Sequence, residues 1–238
     1  MRLTLRPRAT WEGCDLGVRL LQSCLSSVYS CYLMVAIPLF ALCLATFDIA
    51  AWLPALLMWW SKPWLDRTLL FVLSRALFGV ATRPPDVWDS QRDTWWAQWL
   101  ETVTLRRLSA SRSFTQPIRQ LEGLTGAARR RRLRQLAARH RGIARTMTAA
   151  FAAAEFALVL SLISLTVWLA PKQAELSWTA LLSGAGMPKV LALTVGYAAA
   201  VAFLEPFYVA AGFGMYLNRR VELEAWDIEQ EFRRAFPG

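Results

Sequence analysis

The chain has 238 residues, 55% of them hydrophobic, and its 27 Lys and Arg stand against 17 Asp and Glu for a formal charge of +10. With a mean hydropathy of +0.31, this composition excludes a disordered chain and a typical soluble enzyme, and four Cys are too few for a disulfide scaffold. It is the composition of a membrane protein, and twelve Trp suit one because indole rings collect at the headgroup level.

Near the start, Leu16, Leu20, Leu21 and Cys24 share one face, which predicts a short surface helix. Residues 28–47 carry no charge over twenty positions, enough to cross a hydrocarbon core of about 30 Å. The stretch is longer than the apolar part of a cleaved signal and is read as the first span, with Asp48 at its far end. Residues 49–60 continue apolar until Ser61-Lys62-Pro63 interrupts them, and residues 64–80 carry Asp66, Arg67 and Arg75. This reads as a second span followed by a helix at or just inside the interface.

Pro84-Pro85 closes the first half, since residues before proline avoid helix. Over residues 91–108, Trp95, Trp96, Trp99, Leu100 and Val103 fall within an arc of about 140°, and Arg106 and Arg107 continue it. Such a helix lies on the inner leaflet or forms a small cytoplasmic core; periodicity alone does not separate the two. Residues 109–115 are a polar break, Pro117 fits the first turn of a short helix, and Gly123 and Gly126 flank the next joint. Arg129, Arg130, Arg131 and Arg132 then form an unbroken cationic run, followed by Arg134, Arg139, Arg141 and Arg145. Clusters of this kind beside a span bind anionic lipid headgroups and fix topology, at roughly 1 kcal/mol per residue. Nucleic acid is not an expected partner, because no recognition module is present.

Residues 147–169 make the cleanest later span, charged only at Glu155, and residues 190–217 return across the membrane with Glu205-Pro206 inside. Pro206 predicts a kink. Ala149, Ala153 and Ala154 in one span and Gly196, Ala200, Gly212 and Gly214 in the other predict close packing between these two helices or against a partner. Beyond them, Val221, Ala225, Ile228 and Phe232 form a narrow apolar stripe among Glu222, Glu224, Asp227, Glu229 and Glu231. Anionic lipid would repel such a helix, so it is expected to dock on the arginine-rich loop of its own chain or of a neighbouring subunit.

Residues 83–145 hold fourteen Arg and no Lys against five acids, whereas the short connections on the other side hold only Lys172 and Lys189. The positive-inside rule then places both termini and the middle loop in the cytoplasm. The expected architecture is all-α and polytopic: four transmembrane helices in two hairpins, with interfacial amphipathic helices. Its units are residues 1–82, 83–145, 146–218 and 219–238. Lys62-Pro63-Trp64 and Glu205-Pro206-Phe207 hint at an internal repeat in which Lys62 and Glu205 face each other.

The sharpest polar signals are intramembrane Lys62, Arg67, Arg75, Glu155 and Glu205, because an unpaired charge in hydrocarbon costs several kcal/mol. The two glutamates read either as a proton or cation site in a transporter or as structural partners of Lys62, Arg67 or Arg75. One histidine, His140, supplies almost no material for a metal cluster or a Ser-His-Asp triad, and neither a phosphate-binding loop nor a nucleophile elbow occurs. No catalytic residue, cofactor or metal is expected. Cys14, Cys24, Cys31 and Cys43 read as small apolar packers.

The segments WEGCDLG (11–17), KPWLDR (62–67), FVLSRALFG (71–79), LEGL (121–124) and YLNRRVELEAWDIE (216–229), the last containing Trp226 and Asp227, together resemble an uncharacterised family of bacterial inner-membrane proteins. Members lie near genes for MoxR-type ATPases, von Willebrand factor A-like proteins and transglutaminase-like membrane proteins. The resemblance implies a non-enzymatic subunit, scaffold or assembly factor of an inner-membrane complex served by a cytoplasmic ATPase. It transfers no catalytic residue. Expected partners are membrane lipids and other inner-membrane proteins, met through Trp95, Trp96, Trp99, Trp226, Asp227 and the arginine run.

Overall fold

A computed structural model of the chain describes residues 9–90, 111–138, 140–169 and 187–224. Among these residues are eight helices and no strand: α1 (Thr10–Ser23), α2 (Leu25–Leu44), α3 (Leu53–Leu77), α4 (Pro84–Asp89), α5 (Arg112–Gln120), α6 (Gly126–Ala137), α7 (Arg141–Leu169) and α8 (Met187–Glu224). The expected helix carrying Trp95, Trp96 and Trp99, and the tail positions Trp226 and Asp227, lie outside the described residues.

Among the described residues, three helices are long and apolar enough to cross a membrane: α2, α7 and α8. Helix α3, at 25 residues, matches them in length, about 37 Å at helical rise, but carries Lys62, Asp66, Arg67 and Arg75. The sequence divides it at Ser61-Lys62-Pro63, whereas it is one continuous helix. Pro63 removes the amide that would have bonded the Trp59 carbonyl, and one residue earlier in the ladder the Ser61 hydroxyl turns back onto the Met58 carbonyl at 2.9 Å. Burial holds the helix together across this gap, for Met58, Lys62, Pro63 and most positions from Leu65 to Leu73 are enclosed.

Helix α8 is likewise unbroken through Pro206, and its 38 residues span about 57 Å, well beyond a hydrocarbon core. In the turn before Pro206, the hydroxyls of Tyr29 and Tyr32 on α2 donate to the carbonyls of Phe203 (2.9 Å) and Val201 (3.5 Å). From Tyr208 to Asn218 α8 is buried on every side. Helix α1 covers one of those sides, where the sequence reading leaves a surface helix. Its Gly13 and Gly17 meet Ala210 and Gly214 so closely that a Cβ at Gly17 would fall 1.9 Å from the Ala210 carbonyl oxygen. Small residues spaced four apart on both helices allow this backbone approach. Beside it, the Cys14 thiol is 3.8 Å from the Met147 sulfur, and burial, with Asp15 nearby, pushes its pKa up to about 12.

Another side of α8 is covered by α5, where a Cβ at Gly212 would strike Ser113. The expected packing of α7 against α8 is present, with Gly196 in ordinary contact with Leu162 and Ala200 buried, but Gly212 and Gly214 serve α5 and α1, and Ala149, Ala153 and Ala154 are exposed. Apolar composition marked α7 as a span, but composition does not reveal which face meets protein.

Candidate functional site: a buried chain of alternating charges

Four helices meet at one polar cluster. On α3, Lys62 and Asp66 lie one turn apart on the same face. The Lys62 Nζ is 2.5 Å from Glu155 Oε2 on α7 and 3.2 Å from Glu205 Oε2 on α8. The other Glu205 oxygen accepts from Arg112 Nη2 of α5 at 2.8 Å, and Arg112 Nε stands 2.7 Å from Asp66 Oδ2. That last contact is ionic and off the hydrogen-bond axis, so both Asp66 oxygens keep unfilled hydrogen-bonding positions. The order is Glu155, Lys62, Glu205, Arg112, Asp66, strictly alternating in sign, with a carboxylate at either end.

Side-chain exposure grades along it, from 19% at Glu155 through 8%, 4% and 18% at Lys62, Glu205 and Arg112 to 0% at Asp66. Ionised groups at such burial persist only when paired. Burial works against the Arg112 charge, but Asp66 and then Glu205 outweigh it and raise the pKa of the guanidinium above its ordinary value. Aromatic faces complete the cation sites: Lys62 lies 5.7 Å from the Tyr197 ring centre and Arg112 lies 5.6 Å from that of Tyr208. The Tyr208 hydroxyl accepts from the Ser113 amide at 3.5 Å and is 3.4 Å from the Thr148 hydroxyl. A cavity of about 540 Å³ opens on this cluster, walled by Trp59, Phe151, Phe156 and the two tyrosines.

Of the intramembrane candidates, the structure thus joins Lys62, Glu155 and Glu205, including the expected approach of Lys62 to Glu205. Arg75 is elsewhere, 3.8 Å from Asp86 at the end of α3. Arg67 is buried, its carbonyl accepting from the Gln120 amide at 2.8 Å. Asp66 and Arg112 were not singled out from sequence. Asp66 falls in the stretch read as a helix at or just inside the interface, and Arg112 in the serine-rich stretch read as a break. The usable signal was Phe114 and Ile118, spaced for one helix face just after Arg112; both are fully enclosed.

A second ion cluster ties the loop to the end of α8. Arg132 Nε donates to Glu122 Oε2 at 2.9 Å and its Nη2 also pairs with Glu224, which Arg220 holds at 2.7 Å. The Tyr216 hydroxyl donates to Glu122 at 2.7 Å, and His140 stands 3.9 Å from Glu222. Glu222 and Glu224 thus meet the arginine-rich loop of the same chain. Arg129 is half-buried, while Arg130, Arg131 and Arg134 are exposed.

Among the described residues no three His, Cys, Asp or Glu converge as metal ligands. Comparison with protein-family models, with curated proteins and with solved structures finds no match.

Proposed function

We propose that the chain is a non-enzymatic subunit, scaffold or assembly factor of a bacterial inner-membrane protein complex. It spans the bilayer four times, α3 being the second span, with both termini and the loop that carries α5 and α6 in the cytoplasm. The observation that carries this reading is the double anchorage of that loop, by Arg112 to α3 and α8 and by Arg132 to Glu224. A loop held at both ends presents a fixed platform, and Arg130, Arg131 and Arg134 on its outer face suit acidic protein surfaces or anionic headgroups. The family resemblance suggests a MoxR-type ATPase as the cytoplasmic partner.

A second reading, a small transporter or channel subunit using Glu155 and Glu205, draws support from the cavity that both line. Purification in mild detergent with mass spectrometry of co-eluting proteins separates the two. The scaffold reading expects stoichiometric partners that are lost when Arg130, Arg131 and Arg134 are replaced by Glu, with the chain still membrane-inserted. An isolated homo-oligomer with ion-dependent stability would contradict it.

A further inference from the structure

Helices α3 and α7 each pack on α8 but make little contact with each other, and the cavity is the cleft between them. Its rim residues, Trp59 on α3 and Phe156 on α7, are 40% and 66% exposed, so it opens sideways, where spanning helices face lipid. Its depth follows from α2. Tyr29 stands one turn, about 6 Å, inside the amino-terminal end of α2. It bonds Phe203, and Tyr32 bonds Val201, so α2 and α8 run antiparallel. Glu205 therefore lies nearer still to that end of α2, close under the headgroups of that leaflet. The two members of the charge cluster most open to the cleft are Glu155 at 19% and Arg112 at 18%, one of each sign. Lys62 and Glu205, which also line it, are more enclosed, and Asp66 does not line it. Each open member has an atom to spare. Glu155 meets Lys62 through Oε2, leaving Oε1; Arg112 meets Glu205 through Nη2 and Asp66 through Nε, leaving Nη1.

We infer that the cleft binds one zwitterionic phospholipid whose head carries a primary ammonium, of the phosphoethanolamine type. Its phosphate accepts from Arg112 Nη1, its ammonium donates to Glu155 Oε1, and its chains leave past Trp59 and Phe156. Such a head sets one charge against each open member and adds no net charge to a lining in which Lys62 and Arg112 balance Glu155 and Glu205. A head with a net charge would bring one that the lining does not match, at a depth where unmatched charge is costly. A quaternary ammonium has no N–H to give Glu155. At about 540 Å³ the cleft has the volume of a small-ligand pocket. The inference rests on the reading that these helices cross the bilayer and stands apart from the scaffold role.

The test is native mass spectrometry of the full chain, stripped of lipid in detergent and titrated with phosphatidylethanolamine, phosphatidylcholine and phosphatidylglycerol of identical acyl chains. One phosphatidylethanolamine per chain is expected, at least about fivefold tighter than either of the others, the scale of one hydrogen bond. Ala152→Trp, which fills the cleft from its exposed edge, is expected to abolish that binding, while Leu42→Trp on the outer face of α2 leaves it unchanged. Glu155→Gln is expected to remove most of the preference over phosphatidylcholine. Equal binding of the three lipids overturns the proposal in favour of a groove for acyl chains alone, and tighter phosphatidylglycerol overturns it in favour of an anion site. Unchanged binding in Ala152→Trp, or no bound lipid, overturns it as well. If Glu155→Gln does not fold, the three lipids on the unaltered chain and Ala152→Trp still decide. A chain that stays soluble without detergent would instead overturn the spans, and this site with them.

Discussion

The two ion clusters use the same side-chain chemistry in different surroundings. At the α3, α7 and α8 crossing, five charges lie at 0 to 19% exposure among apolar helices. At the end of α8, Arg132, Glu122, Glu224 and Arg220 lie at 12 to 26%, close to water. In the first setting Lys62, Glu205 and Asp66, at 0 to 8% exposure, have almost no solvent to turn to; in the second every member has some. The buried chain therefore specifies how four helices fit, and the outer cluster trims a fit that packing has already made.

Removing a cation from the buried chain is the largest disturbance. Lys62→Met or Arg112→Met leaves buried carboxylate without its cation and is expected to cost about 3–5 kcal/mol of folded stability in detergent, read by thermal or denaturant unfolding. Glu205→Gln should cost less than either, although Glu205 is the central member, because Glu155 with Lys62 and Asp66 with Arg112 remain as two balanced pairs. Equal losses for all three variants would mean that charge balance does not govern the chain.

The outer end of α8 is predicted to depend on shape. Gly17→Ala forces a methyl into the Ala210 carbonyl and should cost about 1–3 kcal/mol, as overpacking does. Cys14 reports the same seam. With its pKa raised to about 12, the thiol stays neutral and shielded at pH 8, so iodoacetamide should alkylate it slowly in the native chain and faster in Gly17→Ala. The smallest effect is expected for Arg132→Ala, about 1 kcal/mol or less and reduced further by salt. A larger loss there than at Gly17 would reverse the assignment of packing and charge.

Sequence made the buried chain partly visible. Lys62, Glu155 and Glu205 stand out because each interrupts an apolar run, and the shared pattern before proline already suggested that Lys62 faces Glu205. Asp66 and Arg112 did not stand out, since a charge beside another charge or beside serines carries no such contrast. Gly13 and Gly17 show the same limit: their spacing is plain in the chain, but their partners Ala210 and Gly214 lie about two hundred residues away, and nothing local names them. The alanines of α7 show a related limit, since small residues suit a helix contact and an exposed face alike.

Helix α5, from the loop, is fixed between α3 and α8 by Arg112. A double-mutant cycle of Arg112→Met and Asp66→Asn on unfolding stability tests it most directly. Arg112→Met alone should be severe, and adding Asp66→Asn should recover part of the loss, because the carboxyl that Arg112 faced is then gone as well; the expected coupling is about 1–3 kcal/mol. Losses that simply add would mean that Arg112 and Asp66 do not meet, and the anchorage of the loop would fall with them.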